Sequence, residues 1–156
     1  MKHALIVLAL LSATANAADI VNITVSGTLT RPPCTLGTGA ALSANFGNVR
    51  LDLISSTEPQ DIPVRLNCPA GSSVNVSFSA SNGTFSSTVA KTSANNLGVS
   101  LLWAKDSSAA NLQGTAKSYT NLSGAVDISL KAKLVEQGAL SPGQFTSALV
   151  MTINYL

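Results

Sequence analysis

Three features of the sequence predict an all-β protein, and a β-sandwich in particular. Short segments in which apolar and polar residues alternate recur along the chain, as in strands that bury one face. Clusters of Gly, Pro and Asn separate these segments and are typical of turns. Long apolar stripes with the period of a helix are missing. The same pattern leaves a β-barrel open as the alternative to a sandwich.

The composition excludes several classes of protein. The chain has 156 residues, which is room for one domain with a hydrophobic core. Only 10% of the residues are charged and the net charge is +2, without a cluster of Lys and Arg. A disordered chain would be far more polar, and a nucleic-acid-binding protein would carry a basic patch. No apolar run reaches the ~18 residues that a membrane-spanning helix needs.

The N-terminus has the three parts of a secretory signal peptide. Lys2 and His3 form a short cationic start, residues 4–11 are an unbroken apolar run, and residues 15–17 form a small-x-small cleavage site. We therefore predict that residues 1–17 are a signal peptide and that the mature chain begins at Ala18.

Loss of the signal peptide also removes the one histidine of the sequence, His3. The mature chain then has no imidazole for a Ser-His-Asp or Cys-His site, or for a His-ligated zinc ion. The few Asp and Glu residues stand in polar or turn-like contexts, so a carboxylate pair for glycoside hydrolysis is disfavoured. We expect a protein that is not an enzyme and that has neither a metal nor any other cofactor.

A first alternating segment follows the signal peptide. Every second residue is apolar except for one glycine, and the residues between them are Asn, Thr and Ser. We call the set of alternate apolar positions the apolar parity of the segment. This pattern predicts a strand with one apolar face, which Pro32 and Pro33 end because proline cannot donate to a ladder. From the residues alone, an ordinary first strand of the chain's own domain is an equal alternative. The apolar parity consists of Val21, Ile23, Val25, Gly27 and Leu29.

The rest of the chain supplies the other strands. The last segment shares one parity over Phe145, Leu149, Met151, Ile153 and Tyr155. The small, polar residues 107–123 predict a long connection with room for one edge strand. The other predicted strands are residues 42–49 (the weakest), 62–68, 74–79, 97–103, where Trp103 belongs to the core, and 126–134. The predicted turns are residues 69–71, Asn82-Gly83, Asn95-Asn96, Gly124, Gly138 and Pro142-Gly143.

Two cysteines, Cys34 and Cys68, remain in the exported chain. An even count in an oxidising compartment favours a disulfide, with two buried free thiols as the alternative. The closed loop of about 34 residues would stabilise the fold by about 4 kcal/mol in the chain-entropy model.

Four features occur in order along the mature chain. They are the alternating segment with Gly27, the cysteine pair Cys34 and Cys68, Gly143 at the fourteenth position from the C-terminus, and the penultimate Tyr155. In this combination the sequence resembles the pilus (fimbrial) subunits of the bacterial chaperone–usher pathway, similar to the minor pilins of type 1 and P pili. The resemblance covers the whole mature chain.

The resemblance implies an immunoglobulin-like sandwich that lacks its last strand and exposes a groove beside its C-terminal strand. A periplasmic chaperone first lends a strand to this groove, and the N-terminal extension of the next subunit then replaces it. The implied partners are this chaperone, the outer-membrane usher and neighbouring pilus subunits. The implied route leads through the periplasm to fimbriae on the cell surface.

The resemblance also assigns roles to residues. The apolar residues Val21, Ile23, Val25 and Leu29 would enter a neighbour's groove, and Gly27 would lie where no Cβ fits. Residues 144–156 would form the groove wall, and Tyr155 with the Leu156 carboxylate would contact the chaperone. Gly143 would permit a bend or close approach at the start of that strand, or be a plain turn residue. The implied groove residues are Gly143, Phe145, Leu149, Met151, Ile153, Tyr155 and Leu156.

The expected organisation is a signal peptide (1–17), a donor-strand extension (18–33) and a pilin domain (34–156). The short extension before Cys34 favours a minor or adaptor subunit in cell adhesion, with a rod subunit as the close alternative. A terminating subunit that accepts no further partner is not distinguished by sequence. A secreted carbohydrate-binding sandwich is less favoured, because the chain has few aromatic residues for sugar stacking.

Overall fold

The structure is a computed structural model that describes residues 21–30 and 32–156. The predicted signal peptide and the first residues of the predicted extension lie outside the described residues. The chain divides into two units, Met1–Thr30 and Arg31–Leu156. In the first unit, residues 21–30 have no regular secondary structure and all their side chains are exposed. Within the described ranges, no helix has the length and apolar character of a membrane span.

The second unit is built almost entirely of strands. A single six-residue 3₁₀ helix, Leu51–Ser56, interrupts them among the described residues. The strands, in chain order, are β1 (Thr35–Leu36), β2 (Gln60–Ile62), β3 (Arg65–Ala80), β4 (Thr84–Ser86), β5 (Val89–Lys91), β6 (Leu97–Trp103), β7 (Lys117–Asp127), β8 (Leu130–Glu136) and β9 (Leu149–Tyr155).

The strands form two antiparallel sheets. In the first sheet, β3 is central: β7 pairs with one of its edges, and β1 and β9 pair with other parts of it. The second sheet has the order β2-β8-β6-β5-β4. Two separate sheets enclose the core, which confirms the predicted all-β sandwich over the barrel.

The core lies between the sheets, where inward-facing residues alternate along β3, β6 and β8. Trp103 is its largest residue and is 5% exposed, which confirms that it packs in the core. Its ring contacts Phe78 edge-on, with ring centroids 5.6 Å apart, and contacts Tyr119 at 5.9 Å. Such edge-to-face pairs add to the burial of the rings themselves.

The Lys117 ammonium group lies over the Trp103 ring, 4.5 Å from its centroid. It also lies 3.7 Å from the Asp106 carboxylate. Burial raises the pKa of Tyr119 to about 12, and the Asp106 carboxylate contributes to the shift. These contacts connect β7 of the first sheet to the end of β6 in the second sheet.

The disulfide between Cys34 and Cys68 is present, with its sulfur atoms 2.14 Å apart. Both cysteines are buried in the core. The bond attaches the start of the second unit to β3, and it confirms the pairing favoured by the sequence.

Strand β6 has the predicted bounds, residues 97–103, and the turns at Asn82-Gly83 and Asn95-Asn96 are confirmed. The predicted weak strand 42–49 is wrong, because those residues form no ladder. The predicted strand 62–68 is also wrong as one element. Pro63 has no N–H to donate, and β2 ends before it while β3 begins after it.

Two predicted turns lie inside strands. Residues 69–71 belong to β3, where the register with β7 shifts between Cys68 and Ser72. Gly124 lies within β7, opposite Cys68, with a φ of 66°. Residues 69–71 form a bulge on β3, where three residues face Ser123 alone, and Gly124 is the paired residue next to this bulge.

The strand predicted at residues 126–134 is also wrong as one element, because these residues form the end of β7 and the start of β8. The Asp127 carboxylate accepts a hydrogen bond from the Ser129 N–H at 2.9 Å, which stabilises a tight turn between them. The Ser129 hydroxyl, and after it this backbone bond, lower the pKa of Asp127. The alternation of apolar residues continues through the turn, from Val126 to Ile128 and Leu130. Alternation alone therefore did not reveal the turn.

Candidate functional site

An open groove of about 610 Å³ runs beside the last strand. One wall is β9 with the residues just before it, and the other is Leu36 at the end of β1 with the irregular segment of residues 37–46. The floor consists of core residues from both sheets, among them Phe78, Leu101 and Leu134. The groove therefore gives access to the interior of the sandwich along one side.

Strand β9 has one paired edge. Its seven residues pair in unbroken register with β3, from Leu149 opposite Ala80 to Tyr155 opposite Val74. No other described strand pairs with it. The backbone groups of its second edge have no ladder partner within the described chain, and Leu149, Met151 and Ile153 point into the groove, half-buried. An edge of this kind is a template for a further strand.

The two walls meet at one end of the groove. The rings of Phe46 and Phe145 are in contact, with centroids 6.4 Å apart. The rim at this end is polar and well hydrogen-bonded: Ser93 and Thr146 exchange two bonds, with distances of 2.8 Å and 2.9 Å. The Ser147 hydroxyl donates to the carbonyl of Lys91. These bonds hold the segment before β9 in place.

The other end of β9 lies beside the start of the domain. Tyr155 and Leu156 line a smaller cavity of about 140 Å³ together with Pro32, Pro33 and Cys34. The Leu156 N–H donates to the Ser73 carbonyl at 3.0 Å, which continues the ladder to the last residue. The C-terminus of the chain is thus adjacent to the point where the N-terminal extension leaves the domain.

The groove is apolar and uncharged. None of the described residues that line it is charged, and its polar members are Ser and Thr at the rim and the outer wall. No group of three or more His, Cys, Asp or Glu residues that could hold a metal lies within the described residues. The groove is suited to an uncharged, extended, aliphatic ligand, because burying a charge there would leave it without a partner.

The predicted groove residues fall into three places. Phe145, Leu149, Met151 and Ile153 line the groove. Tyr155 and Leu156 line the smaller cavity at its end. Gly143 lines neither: the strand starts at Leu149, later than predicted, and a Cβ added at Gly143 would meet no atom within 4 Å. The functional roles given to these residues stay predictions.

The predicted donor residues all lie in the first unit and are exposed. The exposed fraction of their aliphatic side chains ranges from 77% for Val21 to 102% for Leu29. A Cβ added at Gly27 would meet nothing within 4 Å. Because no second subunit is present, the need for glycine there is a prediction about the assembled state.

The sequence did not identify the second wall of the groove or its floor. Leu42, Ala44 and Phe46 alternate toward the groove, and this alternation was the signal for the strand predicted at 42–49. The floor residues Phe78 and Leu101 were recognised as core residues, but nothing in their own segments indicates that a groove reaches them.

The described strands form a small β-sandwich that keeps one regular edge, that of β9, open beside its own core. The family model described as fimbrial protein matches residues 23–156. The chain therefore belongs to the fimbrial protein family and is a structural subunit of cell-surface pili. This finding confirms the resemblance found in the sequence.

Solved structures agree with this assignment. The P pilus rod subunit PapA is similar with a TM-score of 0.67 and 18% identity, over 80% of this chain and 100% of that chain. A chaperone–usher pilus rod studied for its uncoiling gives a TM-score of 0.68 at 17% identity, over 92% and 100%. The P pilus adaptor subunit PapF gives 0.59 at 20%, over 80% and 97%. These similarities confirm the immunoglobulin-like pilin fold. No curated protein matches the chain by sequence.

Proposed function

We propose that this subunit polymerises by donor-strand exchange, in which residues 21–29 of one subunit fill the groove of the next. The observation that carries the proposal is the open edge of β9. It is seven residues long, unbroken in register and uncharged, and it borders an apolar groove.

The other sheet edges of the described chain are poor templates by comparison. Strands β2 and β4 have three residues each, and Pro63 follows β2 directly. Strand β7 is long, but its register with β3 is shifted twice. Short, proline-flanked and bulged edges are the ways in which proteins keep strands from pairing with other chains. Among the edge strands of residues 32–156, β9 alone lacks all of these features.

The proposed donor segment matches the groove in chemistry. Residues 21–30 contain no charged residue, like the lining of the groove. Val21, Ile23, Val25 and Leu29 are exposed in the isolated subunit and would be buried on insertion. Burying four aliphatic side chains at about 1.5–3 kcal/mol each would contribute about 6–12 kcal/mol before ordering costs. Backbone hydrogen bonds to β9 would add to this.

The position of the exit point determines the orientation of the donor. The extension leaves the domain at Pro32–Cys34, beside Tyr155. In a linear fibre, the outgoing extension and the incoming subunit lie at opposite ends of the groove. The domain of the incoming subunit follows Leu29 in its own chain, so Leu29 of the donor lies at the Leu149 end of the groove. Val21 of the donor then lies at the Tyr155 end. The donor then runs antiparallel to β9.

The proposed route to the fibre follows the family. Residues 1–17 direct export, residues 18–33 form the extension and residues 34–156 the pilin domain. In the periplasm a chaperone occupies the groove and binds the Leu156 carboxylate, which is exposed at the end of β9, through a charge-assisted hydrogen bond. The outer-membrane usher then exchanges the chaperone for the next subunit. The short extension supports an adaptor position, and a rod position is the alternative.

A matched pair of variants tests the proposal. Ile23→Asp places a charge on the apolar parity of the extension, and Thr24→Asp places the same charge on the opposite parity. We expect Ile23→Asp to be absent from pili extracted from cells, because a buried unpaired carboxylate is costly, while Thr24→Asp is incorporated. Incorporation of both variants at normal levels would falsify the assembly role.

A further inference from the structure

Strand β7 presents the second long edge of the molecule. It has eleven residues, Lys117–Asp127, and pairs with β3 on one side. It is the last strand of its sheet on that side, and no other described strand pairs with it. A regular edge of this length would be a second site for strand addition.

This edge is not regular. Val74 lies opposite Tyr119 and Ser72 opposite Leu122, so Ser73 alone on β3 faces two residues of β7, Thr120 and Asn121. Asn121 has a φ of 54°, a left-handed conformation that is uncommon outside glycine and for which asparagine is enriched. The strand therefore contains a bulge with Asn121 as one of the two residues facing Ser73.

A second irregularity follows three residues later. Gly124 is paired with Cys68 and has a φ of 66°, a left-handed conformation inside the strand. It adjoins the other register shift, whose extra residues, 69–71, belong to β3 and face Ser123 alone. The partly buried residues of β7 are Lys117, Tyr119, Leu122 and Val126, whereas in a regular strand every second residue would face inward. By contrast, Leu149, Met151 and Ile153 of β9 keep this spacing.

We infer that the bulge at Asn121, with the left-handed Gly124 close to it, keeps the β7 edge closed to strand addition, so that each subunit accepts a donor strand at β9 alone. The bulge turns the outer N–H and C=O groups of β7 out of the line that a neighbouring strand needs. Lys117 and Asp127 place a charge at each end of the edge. Growth of the polymer is thereby restricted to one direction, without lateral pairing of subunits.

Deletion of Asn121 tests this inference, because one residue on β7 then faces one on β3 between the pairs Ser72–Leu122 and Val74–Tyr119. The matched control is Asn121→Gly, which keeps the bulge and accepts its φ. Both are made in the full mature chain, whose groove is capped by an excess of a synthetic peptide of residues 18–30. Light scattering and electron microscopy then report association that does not use the groove.

We expect the capped native chain and Asn121→Gly to remain single subunits, and the deletion variant to associate with at least about a twofold rise in weight-average mass. A folded, oxidised deletion variant that stays a single subunit would overturn the inference. The experiment uses the groove proposed above only as a cap. Failure of the peptide to bind the groove therefore contradicts the proposed function, and not this inference.

Hydrogen exchange on the native chain gives an independent test that does not depend on how the variant folds. With the peptide in excess, the amides of β9 are expected to become protected, while those of residues 119–124 exchange as before. Protection of both edges, or a second equivalent of bound peptide, would show that β7 also accepts a strand and would contradict the inference.

Discussion

Phe46 and Phe145 contact each other across the groove, with ring centroids 6.4 Å apart and planes inclined by 44°. One belongs to the irregular wall and the other to the segment that leads into β9. Both also pack against a small second core formed by Ile54, Leu97 and Leu134. The contact ties the two walls of the groove together at one end.

Removal of either ring is therefore expected to weaken the groove and the fold together. For Phe145→Ala we expect a loss of about 1–3 kcal/mol in the free energy of unfolding, less than for a fully buried phenylalanine because the ring is half-buried. Urea denaturation measures this loss. Phe85→Ala is the control: Phe85 is exposed at 38% and lies away from the groove, and we expect a smaller effect there. Equal losses for both variants would contradict the role of the contact.

The two faces of β9 are expected to respond oppositely to a charge. Met151 points into the groove, whereas the neighbouring Thr152 is exposed on the outer face. Met151→Asp would leave a carboxylate unpaired beneath an inserted strand, so we expect binding of a peptide of residues 18–30 to weaken at least about 100-fold. Thr152→Asp should bind nearly as the native chain does. Isothermal titration measures both, and tight binding by Met151→Asp would argue against insertion at β9.

Alkaline pH is expected to destabilise the fold through Tyr119. Its pKa is raised to about 12, mainly by burial, whereas an unfolded tyrosine titrates near 10. The folded state holds the proton more tightly, so the stabilisation is complete below about pH 10 and is lost as the pH rises toward 12. Because the side chain is partly exposed, we expect solvent screening to limit the effect to about 1 kcal/mol. Tyr119→Phe, compared with the native chain by urea denaturation between these pH values, should lack this loss.

Reduction of the disulfide is expected to destabilise the domain strongly. Cys34 and Cys68 are separated by 34 residues, and their bond restricts the unfolded chain. For the double variant Cys34→Ser and Cys68→Ser we expect a loss of about 2–5 kcal/mol in the free energy of unfolding. Denaturation of the native protein with and without reductant gives the same comparison without substitution. A stability independent of reductant would show that the bond does not support the fold.

Strand pattern predicted most of the first sheet's inner face and the core strand β6, because buried strands show regular alternation or a continuous apolar run. For residues 107–123 it predicted a long connection with room for one edge strand, and the edge strand β7 begins there at Lys117 and continues to Asp127. The bounds of this strand were not predicted. The reason lies in the bulge at Asn121, which shifts the inward-facing residues from the parity of Tyr119 to that of Leu122 and so breaks the alternation that would have revealed the strand. A feature that keeps an edge from pairing also hides the strand from a reading of its periodicity.

The groove was predicted on one side and missed on the other. The residues of β9 follow their own alternation, so their common face could be predicted. The opposite wall has the alternation Leu42, Ala44 and Phe46 without forming a ladder, since no strand is present for it to pair with. The local sequence of residues 42–46 indicates that they favour an extended strand. Whether another strand lies beside them to pair with depends on the three-dimensional arrangement of the chain.

The disulfide also has a mechanical consequence for a fibre built from such subunits. In the proposed fibre, tension entering through a donor strand would pass to β9 and across its seven residue pairs to β3. It then travels along β3 to Cys68, crosses a covalent bond to Cys34 and leaves through the adjoining extension. The second sheet lies outside this path. Pulling would therefore load the hydrogen bonds between β9 and β3 together in shear, and it would reach the second sheet only through the packing of the core.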